Sequence, residues 1–232
     1  MKIKLTLATS LSLGLLLTAS LQAEIKNPTI LYVGDSHSFG KFGTVIEKKL
    51  STLSDHVIMQ SSCGSTPSTW LGKSGYEKTV CGFWKKEGKE EIRSKEHKTP
   101  RFADELAKYR PEVSIVQLGT NIAAGSRPKN STASIEAMMM AIAEEKGLCI
   151  WIGPPDANSK IVSKVKLKET NELLKVLSKK HNCHYIDSLA LTKFPLKDKE
   201  GIHYSPTLSA QWGEKVSSQI LTIIKASFKT SF

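Results

Sequence analysis

The pentapeptide Gly34-Asp35-Ser36-His37-Ser38 sets a serine directly after a β-branched run, residues 29–33 (TILYV), and before an amphipathic stretch. A hydroxyl on such a strand-to-helix turn projects from the sheet edge, beside helix amides that favour developing negative charge. It becomes a useful nucleophile when a base takes its proton. Far along the chain, Glu200-Gly201-Ile202-His203-Tyr204-Ser205-Pro206 supplies a histidine next to a helix N-cap, with a carboxylate three residues before it. An imidazole so placed can act as general base while the carboxylate holds its tautomer. Asp198 is a second carboxylate in the same loop. Gly119-Thr120-Asn121 closes another apolar run, and the Asn121 amide can donate to an oxyanion; Gly64 can offer a backbone N–H in the same role. Each signal alone has an ordinary reading as a turn former or cap.

The elements that must position these residues follow from the apolar periodicity. Residues 29–33, 56–60, 113–118, 148–152 and 184–186 read as strands. Between them lie helical patterns. One carries Phe42, Val45, Ile46, Leu50 and Leu53 on one face; others cover residues 102–109, stopped before Pro111, and 134–146, with Gly147 placed to end the helix in the left-handed conformation. A further one spans 164–180, and Ser205 as N-cap with Pro206 at the first position opens the last, running to 224. Five strands alternating with helices predict a three-layer α/β/α domain around a mainly parallel, five-stranded sheet. Ligands bind beyond the carboxyl ends of such strands, and the candidate residues stand there. Residues 63–98 fit no simple unit, and the mixed-sign run 85–91 reads as a solvated helix face.

On Gly34-Asp35-Ser36, Gly64, Gly119-x-Asn121 and Glu200-x-x-His203, the chain resembles the SGNH-hydrolase (GDSL-like) superfamily, over nearly all of residues 24–232. The resemblance implies a flavodoxin-like fold and carboxylic ester hydrolysis through an acyl-serine intermediate. It makes Ser36 the nucleophile, His203 the base, and the N–H groups of Ser36 and Gly64 with the Asn121 side chain the oxyanion hole. The family pattern has aspartate where this chain has Glu200, so the orienting carboxylate is Glu200 or Asp198, or the site is a dyad. A Ser-His after the Gly-Asp also looks like hydrolases and acyltransferases that handle acetyl groups on surface glycans, which makes His37 a substrate-side candidate. Trp70, together with Trp84, is another, since tryptophans can stack on sugar faces. The expected substrate is a short acyl ester, acetyl above all, on cell-wall or surface carbohydrate. A lysophospholipase or thioesterase, an O-acetyltransferase and a non-catalytic glycan-binding module are the alternatives. No metal or organic cofactor is expected.

Composition limits the setting. With 40% apolar and 24% charged residues among 232, the chain is an ordinary globular domain, which excludes a disordered, collagen-like or polytopic membrane protein. Residues 1–23 have a basic start, an apolar stretch and a small residue, Ala23, at the cleavage point, the pattern of a secretory signal peptide. Export to the periplasm or beyond makes disulfides plausible for Cys63, Cys81, Cys149 and Cys183. Three pairings are open; Cys63–Cys81 and Cys149–Cys183 are favoured, with Cys149 and Cys183 as buried free thiols the competing reading. No zinc spacing is present. A net charge of +11 suits electrostatic association with anionic envelope polymers, and no nucleic-acid-binding motif accompanies it.

Overall fold

The computed structural model describes residues 27–73, 78–125, 127–195 and 201–228. The chain runs through β1 (Ile30–Gly34), α1 (Ser36–Phe39), α2 (Lys41–Leu50), β2 (Val57–Ser62) and α3 (Pro67–Trp70), then β3 (Phe83–Glu87) and β4 (Glu90–Ser94). It continues with α4 (Phe102–Tyr109), β5 (Val113–Gln117), α5 (Thr120–Ala124), α6 (Thr132–Glu144), β6 (Leu148–Ile152) and α7 (Lys164–Lys180). The last elements are β7 (His184–Ile186), α8 (Ser188–Leu191) and α9 (Pro206–Phe228). The proposed leader at residues 1–23 lies outside the described residues. Among the described residues, no helix is long and apolar enough to cross a membrane.

The strands form one sheet in the order β4-β3-β2-β1-β5-β6-β7. The five strands from β2 to β7 are parallel, as expected. The sheet nevertheless has seven strands, because β3 and β4 add an antiparallel hairpin beside β2. This corrects both the five-stranded expectation and the reading of residues 85–91 as a helix face. Gly88 takes φ +56 at the first position of a two-residue turn with Lys89, which glycine does without strain. Period-2 alternation then turns Trp84 into the core while its Nε1 donates to Glu91 across the hairpin at 2.9 Å.

Alternation along the parallel strands feeds two cores. Ile30 and Tyr32 of β1 face α2 and α9, packing with Phe42, Ile46, Trp212, Val216 and Ile220. Leu31 and Val33 face the other way, towards Leu106 of α4, Met138 and Ile142 of α6, and Leu174 and Leu177 of α7. Both faces are covered, so every residue of β1, β2 and β5 is buried and the strands read as apolar runs. Within the parallel part the order β2-β1-β5 reverses the direction of winding at β1. The carboxyl end of β1, where Ser36 stands, is therefore the topological switch point.

One helix stop differs from expectation. Lys146, not Gly147, adopts the left-handed conformation after α6, at φ +59. Lys146 N donates to Ala143 O at 3.0 Å and Gly147 N to Ile142 O at 3.2 Å, which is the Schellman pattern one residue earlier than expected. Glycine is needed at 147 for space, since a Cβ there would lie 2.9 Å from the Pro111 carbonyl oxygen.

The disulfides pair Cys63 with Cys81 and Cys149 with Cys183, so the free-thiol reading of Cys149 and Cys183 does not hold. The second bond ties β6 to the residue before β7, with 34 residues of sequence separation. Replacing Cys149 and Cys183 together by alanine should lower the unfolding free energy by roughly 3–4 kcal/mol on the chain-entropy account of such a loop. A urea melt of the variant beside the parent checks it.

Candidate active site

The turn after β1 is built around space that only glycine leaves open. A Cβ on Gly34 would lie 2.3 Å from Ser38 Oγ, and one on Gly43 of α2 would lie 1.9 Å from the Ser38 carbonyl oxygen. Helix α2 can thus press against α1, and Asp35 caps α1 by accepting the His37 N–H at 3.0 Å. Beneath the turn, Ser38 Oγ donates to Gln117 Oε1 at 2.7 Å and accepts from Tyr32 Oη at 2.6 Å, all three side chains being buried. Ser36 is left half-buried at the first position of α1 with its hydroxyl at the sheet edge.

His203 meets it from the other end of the chain: its Nε2 lies 2.8 Å from Ser36 Oγ. Gly201 O accepts from Asn158 N at 2.8 Å, and Tyr204 Oη donates to Asp156 O at 2.7 Å, so both flanks of the histidine are moored to the loop after β6. Ser205 Oγ accepts from Leu208 N at 3.4 Å and opens α9, as the sequence suggests. Glu200 and Asp198 lie outside the described residues.

Gly64 and Asn121 stand beyond the carboxyl ends of β2 and β5, the strands on either side of β1. Gly64 follows β2 with φ +79, and a Cβ on it would meet Val80 at 2.7 Å, so glycine is required twice over. Among the described residues, neither the Ser36 nor the Gly64 N–H is given to a protein acceptor. Asn121 Nδ2 donates to Ser65 O at 3.0 Å, which fixes the amide plane and leaves its second N–H. Ser65, which sequence reasoning missed, ties these parts together. Its Oγ accepts from Trp70 Nε1 at 3.0 Å and donates to Gly34 O at 3.3 Å, so it links the ends of β1 and β2 to α3. Nothing in the local sequence marks it.

The two remaining candidates fare differently. His37 is 6% exposed and lines the same cleft as Ser36 and His203. Trp70 is fully buried in the core beneath α3, which corrects its assignment as a substrate-side residue; Trp84 is likewise buried. The cleft, of about 380 Å³, is instead walled by Phe39, Lys41, the Cys63–Cys81 bridge, Tyr204 and Pro206. Larger clefts of about 620 and 580 Å³ lie elsewhere, at β2 with α4 and along α7, away from the serine–histidine pair.

Burial dominates the electrostatics. It raises the Asp35 carboxyl to about 7, against the hydrogen bond from His37 N and the charge of His203. It lowers the His37 imidazole to about 3, helped by the charge of His203. Burial also lifts the Tyr32 hydroxyl above its usual range. Among the described residues, no group of three or more histidine, cysteine or acidic side chains is placed to hold a metal ion.

No family model matches the chain, and no curated protein matches it in sequence. Solved structures do match. A lipase/acylhydrolase from Enterococcus faecalis is 19% identical, covers 88% of this chain and 98% of its own, and superposes with a TM-score of 0.61. A putative arylesterase from Agrobacterium tumefaciens is 16% identical over 84% of this chain and 99% of its own, with a TM-score of 0.62. Est24, a carbohydrate acetylesterase from Sinorhizobium meliloti, is 13% identical over 85% of this chain and all of its own, 100%, with a TM-score of 0.63. The fold is that of the SGNH hydrolases.

Between pH 4 and 7 the folded chain keeps the Asp35 proton while the unfolded chain has lost it, so this group draws stability down as pH rises. In Asp35→Asn, the melting temperature relative to the parent should therefore become more favourable from pH 4.5 to pH 8. Parallel thermal melts across that range test it; a difference that stays constant would place the carboxyl's titration elsewhere.

Proposed function

We propose that the chain is an exported serine esterase that removes short acyl groups, acetyl above all, from cell-wall or surface carbohydrate. The observation that carries the reading is the 2.8 Å contact between Ser36 Oγ and His203 Nε2 at the switch point of the sheet. Ser36 Oγ attacks the ester carbonyl as His203 Nε2 takes its proton. The N–H groups of Ser36 and Gly64 and the free Asn121 amide hydrogen receive the oxyanion. Collapse of the tetrahedral adduct breaks the bond to the alcohol, which leaves with the proton from His203. Water, deprotonated by the same imidazole, then attacks the acyl-serine; the acid departs and Ser36 is restored. Proton acceptance at Nε2 requires the ring proton on Nδ1, a tautomer that Glu200 or Asp198 is suited to hold.

Several features support the finer parts of the reading. Ser36 is half-buried and His203 exposed in a shallow cleft, an arrangement suited to a polymer approaching from solvent more than to a long acyl chain. The acetylesterase among the structural neighbours points the same way. The leader-like residues 1–23 and the two disulfides support export, and the net charge of +11 supports residence near anionic envelope polymers.

The decisive experiment is release of p-nitrophenol from acetyl and octanoyl esters by the purified protein. Acetyl turnover should exceed octanoyl turnover, and Ser36→Ala should abolish both. Octanoyl preference would move the substrate class to lipids; turnover that survives in Ser36→Ala would overturn the mechanism. Asn121→Ala should lower kcat by about 10²–10³-fold, as loss of one oxyanion donor does, which the same assay measures.

A further inference from the structure

We infer that His37 is a positioning residue for His203: it fixes the plane of the general base by wedging it against a column of aromatic rings rooted in the core. The inference rests on the assignment of His203 as base. The His37 and His203 ring centroids lie 5.2 Å apart at 62°. Behind His37 stands Trp212 of α9, with centroids 5.3 Å apart and rings at 89°. Trp212 is in turn stacked on Phe42 of α2, at 3.7 Å and 20°, and its Nε1 donates to Ser188 Oγ at 3.1 Å. Four rings from four segments thus run from the cleft into the core, and the outermost is the imidazole that must face Ser36.

The column answers a need of the site. His203 is exposed and sits on a connecting segment, where a side chain turns freely unless something restrains it. Its 2.8 Å contact with Ser36 sets one edge of the ring, and the edge-to-face packing of His37 bears on its face. His37 is well suited to the task because it follows Ser36 directly, so wedge and nucleophile share one helical turn whose cap is Asp35. Burial keeps the ring uncharged, so it does not repel the imidazolium that forms on His203. The arrangement has a stability penalty: His37 Nε2 is buried with no hydrogen-bond partner among the described residues. A buried polar atom left in this state is the kind of local defect that function, not packing, explains.

The test compares His37→Ala and His37→Phe with the parent protein, in p-nitrophenyl acetate turnover and in nitrogen-15 NMR of the histidine rings. Loss of the wedge should lower kcat in His37→Ala at least tenfold with KM within twofold, and restoring a ring in His37→Phe should recover most of kcat. The His203 ring signals should be single and sharp in the parent and in His37→Phe, and broadened or doubled in His37→Ala. A kcat in His37→Ala within twofold of the parent would overturn the inference. So would a rise in KM alone, which marks a substrate contact, or a His37→Phe variant as slow as His37→Ala. Should the parent turn over no ester, the esterase reading fails, and the NMR arm still decides the wedge: identical His203 signals in all three proteins would refute it. His37→Phe retains a ring in the column, so it serves even if the alanine variant does not fold.

Discussion

Ser38 donates its hydroxyl hydrogen to Gln117 and accepts one from Tyr32, with all three groups out of water. Tyr32 belongs to β1 and Gln117 to β5, the two strands on either side of the switch point, so this one hydroxyl pins α1 across both. In a buried setting such bonds are worth more than in solvent, and breaking one leaves a polar group stranded. The consequence reaches Ser36, two residues earlier in the same turn. Its position above the sheet is set from below by Ser38, from the side by the Asp35 cap, and from behind by α2 pressing in at Gly43.

The rest of the site is assembled by similar tethers between loops that come from distant parts of the sequence. Ser65 connects the end of β1 to the loop after β2 and to Trp70, and its carbonyl holds the Asn121 amide. Tyr204 and Gly201 moor the histidine segment to the loop after β6. The parallel sheet brings the strand ends to one edge; these side-chain bonds turn that edge into a defined geometry. A scaffold of this kind places reactive groups more exactly than loops alone would do.

Much of this was legible in the sequence, for identifiable reasons. Strands buried on both faces announce themselves as apolar runs, and α7 was readable over its whole length because Leu167, Leu174 and Leu177 recur on one buried face. Ser36 and His203 stood out because each follows or precedes a recognisable element boundary. The β3–β4 hairpin did not, since its outer strand is charged and its partner changes from buried to half-buried along its length; the only marker was Gly88 flanked by like runs. Trp70 misled because a tryptophan in an irregular region can equally stack on a ligand or pack beneath a short helix, and only the three-dimensional setting separates the two. Ser65 and Ser38 carried no signal, as serine is common in turns and the strand-end partners that matter, Gly34 for Ser65 and Gln117 for Ser38, lie 31 and 79 residues away.

The added hairpin also decides where the sheet stops growing. A sheet ends in unpaired N–H and C=O groups at both borders, each a template for another strand. Here one border is β4, whose Glu90, Glu91 and Arg93 present charge to solvent, and the other is β7, only 3 residues long. The exposed charged side chains of β4 resist being covered by a second strand, and three residues offer too few backbone bonds to nucleate a ladder. The two borders thus guard against edge-to-edge aggregation by different means, one by exposed charge and the other by brevity.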